Sequence, residues 1–116
     1  DLPTGYRVLV VFRPDCKFCL ESMPFYGELL GIDGGSKRLA FVTPHGQELA
    51  TRQALPLGSS AALVLGADFR KNRFVATPMI LRIDKEQRVR AIWRGTLGGS
   101  EEGRVRQLLR EGDPGG

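Results

Sequence analysis

The sequence has 116 residues, of which 41% are hydrophobic and 26% are charged. This length predicts one domain, residues 1–116, that buries a single core without disulfide or metal cross-links, and the composition excludes a largely disordered chain. No apolar run approaches the roughly 20 residues that cross a bilayer. The chain begins with Asp1 instead of Met, so we expect that an upstream segment has been removed.

The net charge is +4, from 17 basic and 13 acidic residues. Basic side chains form two groups, Arg70, Lys71 and Arg73 and, nearer the C-terminus, Arg104, Arg106 and Arg110. Such groups are more often a solvated surface than a nucleic-acid site. Because no DNA- or RNA-binding motif accompanies them and the aromatic residues are not interleaved with them, we expect no nucleic-acid partner.

The N-terminal part predicts a strand followed by a helix. Residues 6–12 (YRVLVVF) contain four consecutive aliphatic residues, which favours a strand buried on both faces. Apolar residues at helical spacing then predict a helix from Cys16 to about Leu30. Pro24 should kink this helix because proline lacks the amide donor. Residues 31–36 (GIDGGS) are predicted as a loop.

The middle of the chain predicts a second strand at residues 38–43 and a helix at residues 45–54. Residues 61–66 (AALVLG) are apolar and short, so they are either a strand or an extended segment. The carboxylate of Asp68 can cap a brief helix over residues 68–73 by accepting free amides of its first turn.

The C-terminal part predicts a β-hairpin and a helix. The hairpin strands are residues 79–83 (MILRI) and 89–93 (VRAIW), joined by a short polar turn. After the Gly-rich loop at residues 96–100, a final helix starts near Ser100. This order of elements predicts an α/β fold with a central mixed sheet flanked by helices on both faces. Residues 1–5 and 112–116 should fray.

Cys16 and Cys19 are the only two cysteines of the chain, separated by Lys17-Phe18. Cys16 follows a buried strand and opens a helix, where free amides and the helix dipole stabilise a thiolate. Cys19 comes one turn later, close enough to form a disulfide. One thiolate can therefore attack a partner's disulfide while the other resolves the mixed disulfide. The spacing in this context favours redox chemistry.

The pair has three other interpretations: a zinc site, a structural disulfide and part of a non-catalytic binding module. A structural zinc site needs four ligands, and the chain offers only His45 besides the cysteines. A purely structural disulfide would close a very short loop and constrain the unfolded chain little. A non-catalytic binding module stays open, because a fold does not determine its function.

Several motifs of the chain resemble the thioredoxin-like superfamily, specifically its redoxin or TlpA-like thiol–disulfide oxidoreductase branch. The resemblance extends from about Tyr6 to Leu109 and is carried by residues 12–19, Pro24, residues 75–78 (VATP) and residues 79–95. It implies a thioredoxin-like fold in which Cys16 is the nucleophile and Cys19 the resolving cysteine. It also implies that Pro78 is cis and lies beside Cys16; a cis bond is energetically accessible only before proline.

The resemblance further implies protein thiol or disulfide partners that dock against Thr77 and Pro78. We expect Phe18 and Met79 to border the site as an apolar patch. Neither an organic cofactor nor a metal is implied, and a monomer is expected. Members of this branch commonly work outside the cytoplasm, tethered or secreted, which implies an extracytoplasmic location with the cytoplasm as the alternative.

The chain departs from the family pattern at several positions. Asp15 stands where the family usually has Trp; its charge would oppose a thiolate at Cys16, or it serves as the helix N-cap. A buried acid of thioredoxins is replaced by Val10, and a glutamate of some TlpA-like reductases by Ser22. The proton acceptor for Cys19 and the direction of the reaction therefore stay open.

Overall fold

The structure is a computed structural model that describes residues 5–32, 34–55 and 62–110. Its centre is a five-stranded sheet in the order β3-β2-β1-β4-β5. The strands are β1 (Val8–Val11), β2 (Leu39–Pro44), β3 (Leu63–Ala67), β4 (Met79–Ile83) and β5 (Val89–Arg94). β1, β2 and β3 are parallel, whereas β4 is antiparallel to both β1 and β5. The predicted mixed sheet and its C-terminal hairpin are confirmed, and residues 63–67 form a strand.

Five helices are described: α1 (Lys17–Glu21), α2 (Met23–Gly31), α3 (Gly35–Arg38), α4 (Glu48–Ala54) and α5 (Gly99–Arg110). The helix predicted from Cys16 to about Leu30 is two helices divided at Ser22, and Pro24 lies in the first turn of α2. A proline is accommodated there because the amides of a first turn have no partner within the helix.

Two predicted segments differ from the structure. The loop predicted at residues 31–36 is partly helical, because Gly34 adopts the left-handed conformation (φ 77°) and starts α3. Residues 68–73 form turns instead of a helix, although Asp68 does accept a hydrogen bond from the amide of Lys71 at 2.9 Å. The predicted fraying of both ends falls almost entirely outside the described residues.

Alternating residues of β1 face two hydrophobic clusters. Val8 and Val10 belong to the first cluster, and Leu9 and Val11 to the second. The first cluster also holds the buried apolar side chains of three helices, namely Cys19 of α1, Phe25, Tyr26 and Leu29 of α2, and Val105 and Leu109 of α5. On the second face, the described cover is formed by the aromatic side chains of Tyr6, Phe69 and Phe74. Every residue of β1 is therefore buried, as its aliphatic sequence predicts.

The register between β1 and β4 brings two distant segments together. Val11, the last residue of β1, pairs with Met79, the first residue of the antiparallel β4. The loop after Val11 carries Cys16, and the residues just before Met79 are Thr77 and Pro78. Both segments therefore lie at the same edge of the sheet.

Candidate active site

Cys16 is the N-cap residue of α1. Its backbone is extended (φ −95°, ψ 119°), and its sulfur accepts a hydrogen bond from the amide of Cys19 at 3.1 Å. Its own amide donates to the carbonyl of Arg13 at 3.2 Å. The prediction that Asp15 caps this helix is wrong: Asp15 lies one position earlier, with its side chain exposed. The sulfur of Cys16 thus receives the helix-capping amide that an oxygen usually receives.

The two cysteines differ in their access to solvent. Both are free thiols; Cys16 is half-buried, whereas Cys19 is 0% exposed and packs in the first hydrophobic cluster. A partner disulfide approaching from solvent therefore meets Cys16 first. Cys19 is shielded from solvent, and this difference in exposure is compatible with the expected roles of nucleophile for Cys16 and resolving thiol for Cys19.

The environment drives the pKa values of the two thiols apart. Burial raises the pKa of Cys16, but hydrogen bonds from the Cys19 side chain, the Thr77 side chain and nearby amides outweigh burial and lower the pKa overall. Burial raises the pKa of Cys19 to about 12, and the hydrogen bond with the Cys16 side chain adds to that rise. Hydrogen bonds to a thiolate favour it and desolvation disfavours it, so Cys16 ionises first.

Thr77 and Pro78 lie beside the first cysteine. The peptide bond between them is cis, as expected. The carbonyl of Thr77 accepts a hydrogen bond from the Cys16 thiol at 3.5 Å, across 61 residues of sequence. The carbonyl of Pro78 accepts from the amide of Gly95 at 2.9 Å, which ties this segment to the end of β5.

Comparison with solved structures identifies the fold. The pneumococcal exposed lipoprotein thioredoxin Etrx1 from Streptococcus pneumoniae matches with a TM-score of 0.66 at 18% identity, over 92% of this chain and 85% of that chain. The dsbF protein of MTB matches with a TM-score of 0.63 at 19% identity, over 91% and 82% of the two chains. A thiol-disulfide isomerase from Corynebacterium glutamicum matches with a TM-score of 0.54 at 19% identity, over 94% and 84%.

The chain has the thioredoxin-like fold. No protein-family model matches the sequence, and no curated protein sequence matches it significantly. The fold therefore rests on three-dimensional similarity. It agrees with the resemblance in the sequence motifs, since the cysteine pair and the cis proline stand together in space.

Two exposed apolar side chains lie on the segments of this thioredoxin-like domain that carry the cysteines and Thr77. Phe18, between the cysteines, is 54% exposed, as expected, and Val75, two residues before Thr77, is 87% exposed. Met79 was expected in this patch, but that is wrong: Met79 is 4% exposed and packs in the second cluster. Alternation along β4 turns its side chain into the core. The sequence did not single out Val75, because a valine beside other apolar residues is usually interpreted as a core residue. Only its exposure in the structure distinguishes it from one.

The position where some TlpA-like reductases carry a glutamate has a different role here. The hydroxyl of Ser22 donates to the carbonyl of Phe18 at 2.9 Å. Burial raises the pKa of Tyr26, against a smaller lowering effect of the Ser22 side chain. Neither hydroxyl is a base that could accept the proton of Cys19 near neutral pH, so this position supplies no carboxylate for that proton.

Two further features bear on the class of site. Among residues 5–32, 34–55 and 62–110, no three His, Cys, Asp or Glu side chains are grouped so as to hold a metal ion. His45 is exposed at the end of β2 and lies outside any such group. No helix in the described part of the chain is both long and apolar enough to cross a membrane.

Proposed function

We propose that this domain is a thiol–disulfide oxidoreductase that exchanges disulfides with protein partners through Cys16 and Cys19. The observation that carries the proposal is that the two sulfurs differ in exposure and in their hydrogen bonds. The Cys16 sulfur is accessible and stabilised as an anion by the amide of Cys19, whereas Cys19 is buried behind it. The similar solved structures support the proposal, since one of them is described as a thiol-disulfide isomerase.

The exchange proceeds in two steps. The Cys16 thiolate attacks one sulfur of a partner disulfide, so that a bond from Cys16 to the partner forms and the second partner sulfur leaves as a thiolate that takes up a proton. Cys19 then loses its proton to solvent and attacks the Cys16 sulfur. The Cys16–Cys19 disulfide forms, the partner sulfur that was bonded to Cys16 leaves as a thiolate and is protonated, and two electrons have passed from the domain to the partner. The oxidised domain runs the same steps in reverse with a partner dithiol.

Docking of the partner involves the segment before β4. Phe18 lies on the cysteine-bearing helix and Val75 lies just before Thr77, and both expose apolar surface. An extended partner segment laid along residues 75–77 would place its own sulfur near Cys16, and strand-like pairing with exposed backbone is a common way to bind extended peptides. We propose no cofactor, because the electrons enter and leave through partner thiols. An extracytoplasmic location is proposed from the resemblance and from the description of Etrx1 as an exposed lipoprotein.

Reduction of insulin disulfides by the domain, with dithiothreitol as the electron source, tests the proposal. Cys16→Ser should abolish the activity, because no thiolate remains at the accessible position. Cys19→Ser should retain the first step only and accumulate mixed disulfides, visible on non-reducing gels and lost on adding reductant. The double variant is the matched control and should form no adduct.

A redox titration of the wild type completes the test. A reversible two-electron couple supports the proposal. Cysteines that never pair would leave a non-catalytic binding module as the better description, and a Cys16→Ser variant with full activity would rule out Cys16 as the nucleophile.

A further inference from the structure

The cysteine-bearing loop is attached to the turn after β3 by one side chain. The guanidinium carbon of Arg13 lies 5.1 Å from the centre of the Phe69 ring. This contact crosses from the loop after β1 to residues 68–74, which are remote in sequence. A cation over an aromatic face is attracted to the ring quadrupole, and the attraction is stronger where water is excluded.

The ring that Arg13 contacts is held rigidly. Phe69 is 8% exposed and packs edge-to-face on Phe74, with ring centres 5.3 Å apart. The amide of Phe74 donates to the carbonyl of Phe69 at 2.8 Å, and the Asp68 carboxylate holds the amide of Lys71. Arg13 therefore rests on a fixed part of the second face of the sheet.

The backbone of Arg13 acts on both cysteines. Its carbonyl accepts a hydrogen bond from the amide of Cys16 at 3.2 Å. Its peptide group also lowers the pKa of Cys19, against the larger effect of burial. Pro14 restricts Arg13 to extended conformations, and the contact of its side chain with Phe69 adds a second restraint on this peptide. A peptide group that favours a buried thiolate assists the ionisation that resolution requires.

We propose that Arg13 is a positioning residue whose contact with Phe69 holds its backbone against Cys16 and Cys19, so that Cys19 can attack mixed disulfides. The proposal rests on the proposed function and deepens it. In the step concerned, the Cys19 thiolate attacks the Cys16 sulfur, the intramolecular disulfide forms, and the partner sulfur leaves as a thiolate that is then protonated. Arg13 acts through its peptide groups and does not touch the partner.

Single-turnover reaction of the reduced full chain with Ellman's reagent tests the proposal. Attack by Cys16 releases a first thionitrobenzoate, and attack by Cys19 on the adduct releases a second, so the second phase reports resolution alone. Phe69→Leu, which removes the ring, should slow the second phase about fivefold, in line with the strength of a partly buried cation–π contact. Its pH–rate profile should move to higher pH, because a weaker effect of the Arg13 peptide group raises the pKa of Cys19.

Three control variants separate positioning from general stability. Phe69→Tyr keeps the ring and should resolve within twofold of wild type. Arg13→Met removes the cation and should reproduce the slow phase; it also serves if Phe69→Leu does not fold. Arg106 makes the same kind of contact with Phe25, at 5.4 Å, between α5 and α2. Arg106→Met should lower the melting temperature while leaving the second phase and its pH profile unchanged.

The outcomes are distinct. A second phase in Phe69→Leu and Arg13→Met with the wild-type rate and pH profile would overturn the role of Arg13 and leave the proposed function standing. A wild type that releases only the first thionitrobenzoate would overturn both, because Cys19 would then not resolve adducts at all. Slowing of the second phase by Arg106→Met as well would overturn the positioning role, since loss of stability alone would explain the rates.

Discussion

The amide of Cys19 donates a hydrogen bond to the sulfur of Cys16 at 3.1 Å. The residue that we propose resolves the mixed disulfide therefore also stabilises the thiolate that we propose starts the reaction. The Thr77 carbonyl meets the same sulfur at 3.5 Å, so the reactive atom lies between the start of α1 and the start of β4. Each measurable property of the pair follows from this placement and from the burial of Cys19.

Alkylation should distinguish the two thiols. The pKa of Cys16 lies below the ordinary value of 9.0, despite the opposing effect of burial, because amide and side-chain hydrogen bonds favour its thiolate. Iodoacetamide should therefore modify Cys16 first, at least about tenfold faster than Cys19 at neutral pH, because only the thiolate reacts. Peptide mass spectrometry after short exposures over a range of pH measures this. Urea-unfolded protein is the reference, in which both thiols should react alike. Modification of Cys19 before Cys16 would contradict the prediction.

The reduced protein should lose stability at alkaline pH because of Cys19. Burial raises the pKa of this thiol to about 12 from an ordinary 9.0, so between these values the folded state binds a proton that the unfolded state has lost. The stabilisation is complete below pH 9 and is lost as pH rises towards the folded pKa, at up to about 1.4 kcal/mol per pH unit.

Urea unfolding at several pH values above neutrality, with a phosphine reductant present, measures this slope. Cys19→Ala should show a shallower decline than wild type. Tyr26, whose pKa burial also raises, contributes a decline of the same direction in both proteins. The difference between the slopes therefore reports Cys19 together with its effect on the pKa of Cys16. Identical slopes in the two proteins would show that Cys19 has no raised pKa.

Docking of protein partners should depend on Val75. Val75→Ser should raise the KM for insulin about threefold to tenfold, the equivalent of roughly 1 kcal/mol of apolar burial on binding. The rate with a small organic disulfide should stay unchanged, because such a substrate reaches Cys16 without covering residues 75–77.

Val89 supplies the matched control. It is also an exposed valine, but it pairs with Ile83 at the opposite end of the β4–β5 hairpin from Met79. Val89→Ser should leave both substrates unaffected. Equal effects of the two substitutions on the KM for insulin would remove Val75 from the docking surface.

Two glycines should respond to alanine with opposite signs. At Gly35 a Cβ would overlap the backbone carbonyl oxygen of Leu29, which cannot move without displacing the end of α2. Gly35→Ala should therefore destabilise the protein by about 1–3 kcal/mol. Gly103 lies inside α5 with open space around its Cα, and Gly103→Ala should stabilise by about 0.5–1 kcal/mol through helix propensity alone. Thermal unfolding of the two variants tests both predictions. Melting temperatures that shift in the same direction in both variants would be inconsistent with this packing.

Local patterns predicted most elements of the fold. The aliphatic run around Val10 predicts a fully buried strand, and the two alternating runs on either side of Asp84 predict the hairpin; both are observed. A kink at Pro24 was predicted, but the division into two helices at Ser22 and the short helix at Gly35 were not. Ser22 suits a helix or a cap equally well, and α3 depends on the left-handed conformation of Gly34, which glycine permits but does not require.

The candidate site was also predicted only in part, because local patterns give the spacing of residues but not their exposure. The sequence places Cys16 and Cys19 one turn apart after a strand, and its resemblance to known motifs assigns Pro78 to their neighbourhood. It does not show that Met79 turns into the core while Val75 stays exposed. Exposure depends on which segments cover a strand end, and that is a property of the whole packing.

By itself, then, the sequence determined the spacing of the two sulfurs and the strand–helix junction that carries them, because both are set by neighbouring residues. Only the tertiary structure decided which sulfur is buried, that the Thr77 carbonyl meets Cys16, and that Arg13 rests on Phe69. Each of these features depends on segments that are far apart along the chain. Their geometry follows from the register of β1 with β4 and from the packing of the second face, which no local pattern of residues encodes.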